Sequence, residues 1–197
     1  MNIPANRIDQ IVNDTVALCA IPSPSGMTER VVEDLESRFL EIGFKPTRSR
    51  KGSLLVELGG SGDPVILAAH VDTLGAMVRS IKPDGRLRFS PIGHFTYNSV
   101  EGENCLVHTR EGRVVSGCIQ ISESSYHVHP QAATTKRTDK NVEIVLDEKA
   151  GNAAEVRALG VGPGDFVSFD PRTVVTESGF IKGRHLDDKA SVAVLLE

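Results

Sequence analysis

Pro64-Val65-Ile66-Leu67-Ala68-Ala69-His70-Val71-Asp72 is the stretch whose reading decides the fold. Its first six residues carry no polar side chain, and they follow the turn-forming Gly59-Gly60-Ser61-Gly62-Asp63. An unbroken apolar run of that length predicts a strand buried on both faces, as in a parallel sheet covered by helices. His70 then falls at the carboxyl end of the strand, where sites in open α/β sheets sit. Residues two apart on a strand project to the same side. Asp72 can therefore accept a hydrogen bond from one ring nitrogen of His70 and leave the other nitrogen for a cation.

Working outward, the flanking segments predict the opening half of an α/β domain. A helix is expected from about Asn6 to Cys19, with Ile8, Ile11, Val12 and Val16 on one face, ended by Ile21-Pro22-Ser23-Pro24-Ser25-Gly26. A second helix from about Thr28 to Ile42 carries Val31, Val32, Leu35 and Phe39, with Gly43 placed to terminate it. Leu54-Leu55-Val56-Glu57-Leu58 reads as a strand.

Between Thr73 and Thr176 the texture changes. Short alternating runs (Arg86 to Phe89, Cys105 to His108, Arg113 to Ser116, Val142 to Leu146) are separated by Asp-Gly and Glu-Gly turns. This predicts an all-β module, a small barrel, with one short helix near Asn152 to Leu159. The expected organisation is an α/β domain made of residues 1–72 and 177–197, with residues 73–176 inserted.

A second pair of polar residues interrupts the pattern near the carboxyl end. Asp187 and Asp188 immediately precede Ala190-Ser191-Val192-Ala193-Val194-Leu195-Leu196, the start of an apolar helix. Adjacent carboxylates there have an ordinary explanation, because Asp is favoured at and just after a helix N-cap. A lone His-x-Asp is equally ordinary. The conjunction of the two is what points to a metal site.

Four motifs in order (Ile21 to Gly26, His70-Val71-Asp72 with Gly75 behind, Pro91-Ile92-Gly93-His94, and Leu186-Asp187-Asp188-Lys189) resemble the TET-type metallo-aminopeptidases, metallopeptidase family 42. The resemblance implies a zinc-aminopeptidase-like α/β domain, with two divalent metals, zinc or cobalt, at the centre of a peptide-hydrolysing site. It implies His70 as a ligand of one metal, Asp187 as the bridge between both, and Asp72 as the catalytic residue supporting His70. A cis Asp187-Asp188 peptide is also implied. Where the family commonly has an acidic residue after His-x-Asp, this chain has Thr73-Leu74-Gly75, which leaves the substrate side chain open.

The family's later acidic pair, further carboxylate and final histidine have no counterpart here, and the sequence is still apolar at Leu195-Leu196 without a stop signal. The resemblance therefore predicts the amino-terminal part of such an enzyme, inactive alone because two protein ligands do not close a zinc site. The alternative is a non-catalytic oligomerisation or binding module. Small peptides are the implied substrates, and the β module is expected to build a homo-oligomer, a dodecamer by family analogy.

Composition narrows the remaining classes. The chain has 197 residues, 40% of them hydrophobic, and a net charge of −4 with the charges well mixed. No basic patch with interleaved aromatics suggests nucleic acid, and the apolar runs fall short of the roughly 18 residues of a membrane span. Three widely spaced cysteines and an amino terminus without signal-peptide character predict a cytoplasmic protein with reduced thiols. Among the other histidines, His127 and His129 read as a surface pair, His94 as a satisfied histidine near the core, and His185 as a packing residue at a strand end. Ser23 and Ser25 read as turn and cap residues, since neither sits in a Gly-x-Ser-x-Gly elbow.

Overall fold

The computed structural model describes residues 4–197. In chain order the elements are α1 (Ala5–Ala20), α2 (Glu29–Glu41), β1 (Thr47–Arg48), β2 (Leu54–Leu55), β3 (Gly75–Ile81), β4 (Leu87–Ile92), β5 (Asn104–His108), β6 (Val114–Ile121), β7 (Val142–Leu146), α3 (Ala153–Ala158), β8 (Phe166–Phe169), β9 (Val174–Val175), β10 (Ile181–Lys182) and α4 (Leu186–Leu196). They divide into two compact units: the residues up to Thr73 with Pro171–Glu197, and Leu74–Asp170. Among the described residues no helix is long and apolar enough to cross a membrane.

Leu74–Asp170 forms a closed six-stranded barrel in the order β3-β4-β7-β6-β5-β8, with antiparallel neighbours throughout. Closure leaves no free strand edge. The alternation along β6 is the reason these residues make strands: Val115, Ile119 and Ile121 point inward between more exposed residues. Val115 and Ile119 meet Phe89, Val107, Ile144 and Val167 in one core. Gly117 is required where β6 crosses β7, because a Cβ there would lie 2.6 Å from the Val145 carbonyl oxygen. The one deeply buried carboxylate among the strands, Glu143, is met at 2.9 Å by Lys82 Nζ. Asn152 caps α3, its side chain accepting from the Ala154 and Glu155 amides at 3.0 Å.

The other unit packs α1, α2 and α4 around Leu18, Val31, Leu35, Val192 and Ala193, with Ile11, Ile21, Leu54, Ala69, Val71 and Leu196 against them. Arg38 joins the first two helices, reaching Asp14 at 2.7 Å and its own-helix neighbour Asp34 at 2.7 Å. Two short antiparallel ladders, β1 with β2 and β9 with β10, lie in this unit.

One expectation is corrected here. The run Pro64–Ala69 joins no ladder, and Val65, Ile66 and Leu67 are 84%, 87% and 66% exposed. A strand buried on both faces needs hydrogen-bonded neighbours and covering helices. Neither two-stranded ladder pairs with it, and the one β-bridge at its far end is the parallel contact of Pro24 with Thr73. Its apolar side chains state a demand for cover that the described residues meet only at Ala69 and Val71. The second expected strand likewise shortens to Leu54–Leu55.

Candidate metal centre

Because Ala69 and Val71 turn toward the helical core, the intervening His70 and the next alternate residue, Asp72, turn away from it. His70 is exposed and Asp72 half-buried. Nδ1 of His70 lies 3.1 Å from Oδ1 of Asp72 and 3.2 Å from the Asp72 carbonyl oxygen. Nε2, on the opposite side of the ring, lies 3.1 Å from Oδ1 of Asp187. The three residues singled out in the sequence are thus brought together, with the imidazole between two carboxylates.

Asp187 reaches this position through an irregular entry to α4. Asp187 and Asp188 have non-helical backbone angles, the peptide between them is cis, and His185 just before them is left-handed at φ 69°. Regular helix begins at Lys189. That lysine is fully buried and donates to the carbonyl oxygens of Leu18 (2.8 Å) and Ile21 (2.7 Å) at the end of α1. An ammonium there meets carbonyls of the last turn and the negative end of the helix dipole. Burial pushes the Lys189 ammonium down to about 8, with the neighbouring Cys19 opposing that shift. Burial also pushes the Cys19 thiol up, and its Sγ lies 3.6 Å from the His185 carbonyl oxygen.

On the other side, Ser23-Pro24-Ser25 runs alongside Val71-Asp72-Thr73. Ser23 Oγ donates to the Val71 carbonyl at 2.7 Å, the Thr73 amide to Ser23 at 2.8 Å, and the Ser25 amide to Thr73 at 3.2 Å. The Ser25 hydroxyl donates to Oδ2 of Asp72. Ser25 and Lys189 were missed as site residues in the sequence. Ser25 gave no signal beyond a turn, whereas a lone lysine between Asp188 and an apolar helical run is a detectable oddity.

The donor chemistry fits a divalent cation. An imidazole nitrogen and a carboxylate oxygen on one zinc at ~2.0–2.2 Å each would be on the order of 3–3.5 Å apart, close to the separation of His70 Nε2 and Asp187 Oδ1. Among the described residues, no group of three or more His, Cys, Asp or Glu side chains converges on one point. Two donors and a supporting carboxylate are what these residues supply.

The remaining histidines lie elsewhere. His94 is exposed in the turn after β4, which corrects its expected place near the core. Gly93 at φ 81° turns the chain there, and Phe95 and Tyr97, rather than His94, pack on the barrel core. His127 is exposed, and His129 Nδ1 lies 3.7 Å from Glu123 in the same loop.

Residues 52–197 match the family described as M42 glutamyl aminopeptidase, and the chain belongs to that family. It is 49% identical over 181 residues to YhfE of Bacillus subtilis, covering 91% of this chain and 52% of that protein. It is 27% identical to the glutamyl aminopeptidase of Lactococcus lactis over 95% of this chain and 54% of the relative. Among solved structures it resembles the Pyrococcus horikoshii TET1 peptidase, which can assemble into a tetrahedron or a large octahedral shell (TM-score 0.81, 25% identity, 94% of this chain, 54% of that one). It also resembles the aminopeptidase of Desulfurococcus kamchatkensis (TM-score 0.83, 25% identity, 95% and 51%). The chain spans about half the length of the relatives it matches.

Proposed function

We propose that this chain carries the first half of a two-metal aminopeptidase site, acting in the whole protein on the amino-terminal bond of small peptides. The observation that carries the reading is the 3.1 Å approach of His70 Nε2 to Asp187 Oδ1 in a member of an aminopeptidase family. His70 would hold one zinc or cobalt ion and Asp187 would bridge to the second. Asp72 fixes the tautomer of His70 by receiving its Nδ1 proton, which leaves Nε2 as the donor atom. Bound metals would polarise the peptide carbonyl and supply a nucleophile at neutral pH. The barrel unit would serve assembly into a homo-oligomer, a reading supported by the shells formed by the P. horikoshii relative. Three free cysteines support a cytoplasmic location.

With two donors the 197-residue chain binds zinc weakly and does not turn over substrate. The test is calorimetric zinc titration of this chain, with an aminoacyl-nitroanilide assay and light scattering on the same sample. Weak binding that His70→Ala and Asp187→Ala each remove, without turnover, is the expected result. Tight binding of two equivalents with turnover overturns the half-site reading, and a clean monomer at high concentration removes the assembly role.

A further inference from the structure

We infer that Ser25 is a positioning residue for the metal centre, acting through Asp72 on the ring of His70. The inference rests on the metal-site reading above and adds to it a residue that the sequence presents only as part of a turn.

The Asp72 carboxylate divides its two oxygens between two partners. Oδ1 faces His70 Nδ1 at 3.1 Å, and Oδ2 receives the Ser25 hydroxyl. A carboxylate held at one oxygen alone can rotate about its terminal bond, whose torsional preference is broad. Held also at Oδ2 by Ser25, it presents Oδ1 to the imidazole in one orientation, beside the Asp72 main-chain carbonyl that accepts the Nδ1 hydrogen bond at 3.2 Å. The ring is then fixed from its Nδ1 side, and Nε2 is aimed at Asp187.

The hydroxyl is not needed to hold the backbone. Pairing between the two segments is carried by the Thr73 amide on Ser23 and the Ser25 amide on Thr73, and Ser23 Oγ adds its bond to Val71. Ser25 itself is exposed, so its side chain contributes little packing. Its side-chain hydroxyl bonds to Asp72. The segment presenting it is anchored a few residues upstream, where Lys189 Nζ ties Leu18 and Ile21 to the start of α4. One stretch, Leu18–Ser25, therefore meets the site from two sides: its carbonyls hold Lys189 at the start of regular helix beside Asp187, and its Ser25 hydroxyl holds the Asp72 carboxylate.

The test is a double-mutant cycle on zinc affinity of the 197-residue chain, read by competition with a chromophoric chelator, joined to nuclear magnetic resonance of the metal-free protein. Supporting partners of metal-ligating histidines are typically worth ~10–100-fold in metal affinity. Ser25→Ala is expected to weaken zinc binding about tenfold. Ser25→Thr, which keeps the hydroxyl, is expected to restore it. In the Asp72→Asn background Ser25→Ala is expected to cause no further loss, whereas a merely structural role would add in full. Without metal, the His70 ring protons, assigned through His70→Gln, should show fixed contacts to Asp187 in the parent and Ser25→Thr, and lose them in Ser25→Ala. Unchanged ring contacts in Ser25→Ala, or full additivity with Asp72→Asn, overturns the proposal. The resonance measurement needs no zinc, so it decides the positioning role at any affinity. Zinc binding untouched by both His70→Ala and Asp187→Ala would instead sink the metal reading.

Discussion

The barrel and the helical unit solve the same problem with opposite success inside one chain. Between Leu74 and Asp170 every barrel strand finds two neighbours, and its core is built from its own stretch of sequence. In the helical unit an unbroken apolar run leaves Val65, Ile66 and Leu67 in the open. The difference follows from connectivity. Antiparallel strands are joined by tight turns and can close on themselves within a hundred residues, whereas strands of a parallel sheet take their neighbours from distant segments. The unit that carries His70 and Asp187 is thus the one whose cover is unmet by the described residues.

The largest expected effect lies in the barrel. Phe89 is buried against Tyr97 at a ring separation of 5.7 Å. Phe89→Ala removes a whole ring from a closed core, and ~3–5 kcal/mol of unfolding free energy should be lost. Urea denaturation of the chain checks it. A loss under about 1 kcal/mol would mean that the barrel core is far more plastic than the contrast between the units requires.

Next comes a pH effect confined to the same core. Burial pushes the Cys105 thiol from 9.0 up to about 12. Its folded form therefore holds a proton that the unfolded chain releases above pH 9. The stability contributed by the neutral buried thiol is fully present below pH 9 and falls as pH rises toward 12. The expected slope is about 1.4 kcal/mol per pH unit within that window. Cys105→Ala removes this component of the slope, which denaturation series at pH 8, 9.5 and 10.5 resolve. Equal slopes in parent and variant would show that the barrel core admits water.

How legible this was in the sequence follows the same division. The barrel could be read locally because burial alternates along β5 and β6 and its turns carry glycines that adopt positive φ, such as Gly85 and Gly112. Strand β3 went unread: the register shift between Val78 and Ser80 breaks its alternation. At the site, His70, Asp72 and the Asp187-Asp188 pair could be singled out from side-chain chemistry and spacing, while the choice of Asp187 within the pair is what the family resemblance implies. Ser25 could not, because its role depends on which carboxylate the fold carries to it, and Lys189 stands out only as a lone lysine ahead of an apolar run, its carbonyl partners being set by the fold. At Val65–Leu67 the apolar pattern reports that a segment needs cover and not that its own chain provides it.

The smallest expected effect sharpens the comparison most. Ile66 is 87% exposed, so Ile66→Ser should change the unfolding free energy of this chain by no more than about 0.5 kcal/mol. In a strand buried on both faces the same substitution would remove a large apolar side chain and introduce a hydroxyl needing a partner, a loss of several kcal/mol. Urea denaturation at two protein concentrations separates the cases. A small, concentration-independent change is expected from the exposed geometry. A loss approaching that of Phe89→Ala, growing as protein concentration rises, would mean that copies of the chain cover this run for one another. The helical unit would then complete its sheet by association, and its contrast with the self-sufficient barrel would lie in how many chains each needs to bury its apolar surface.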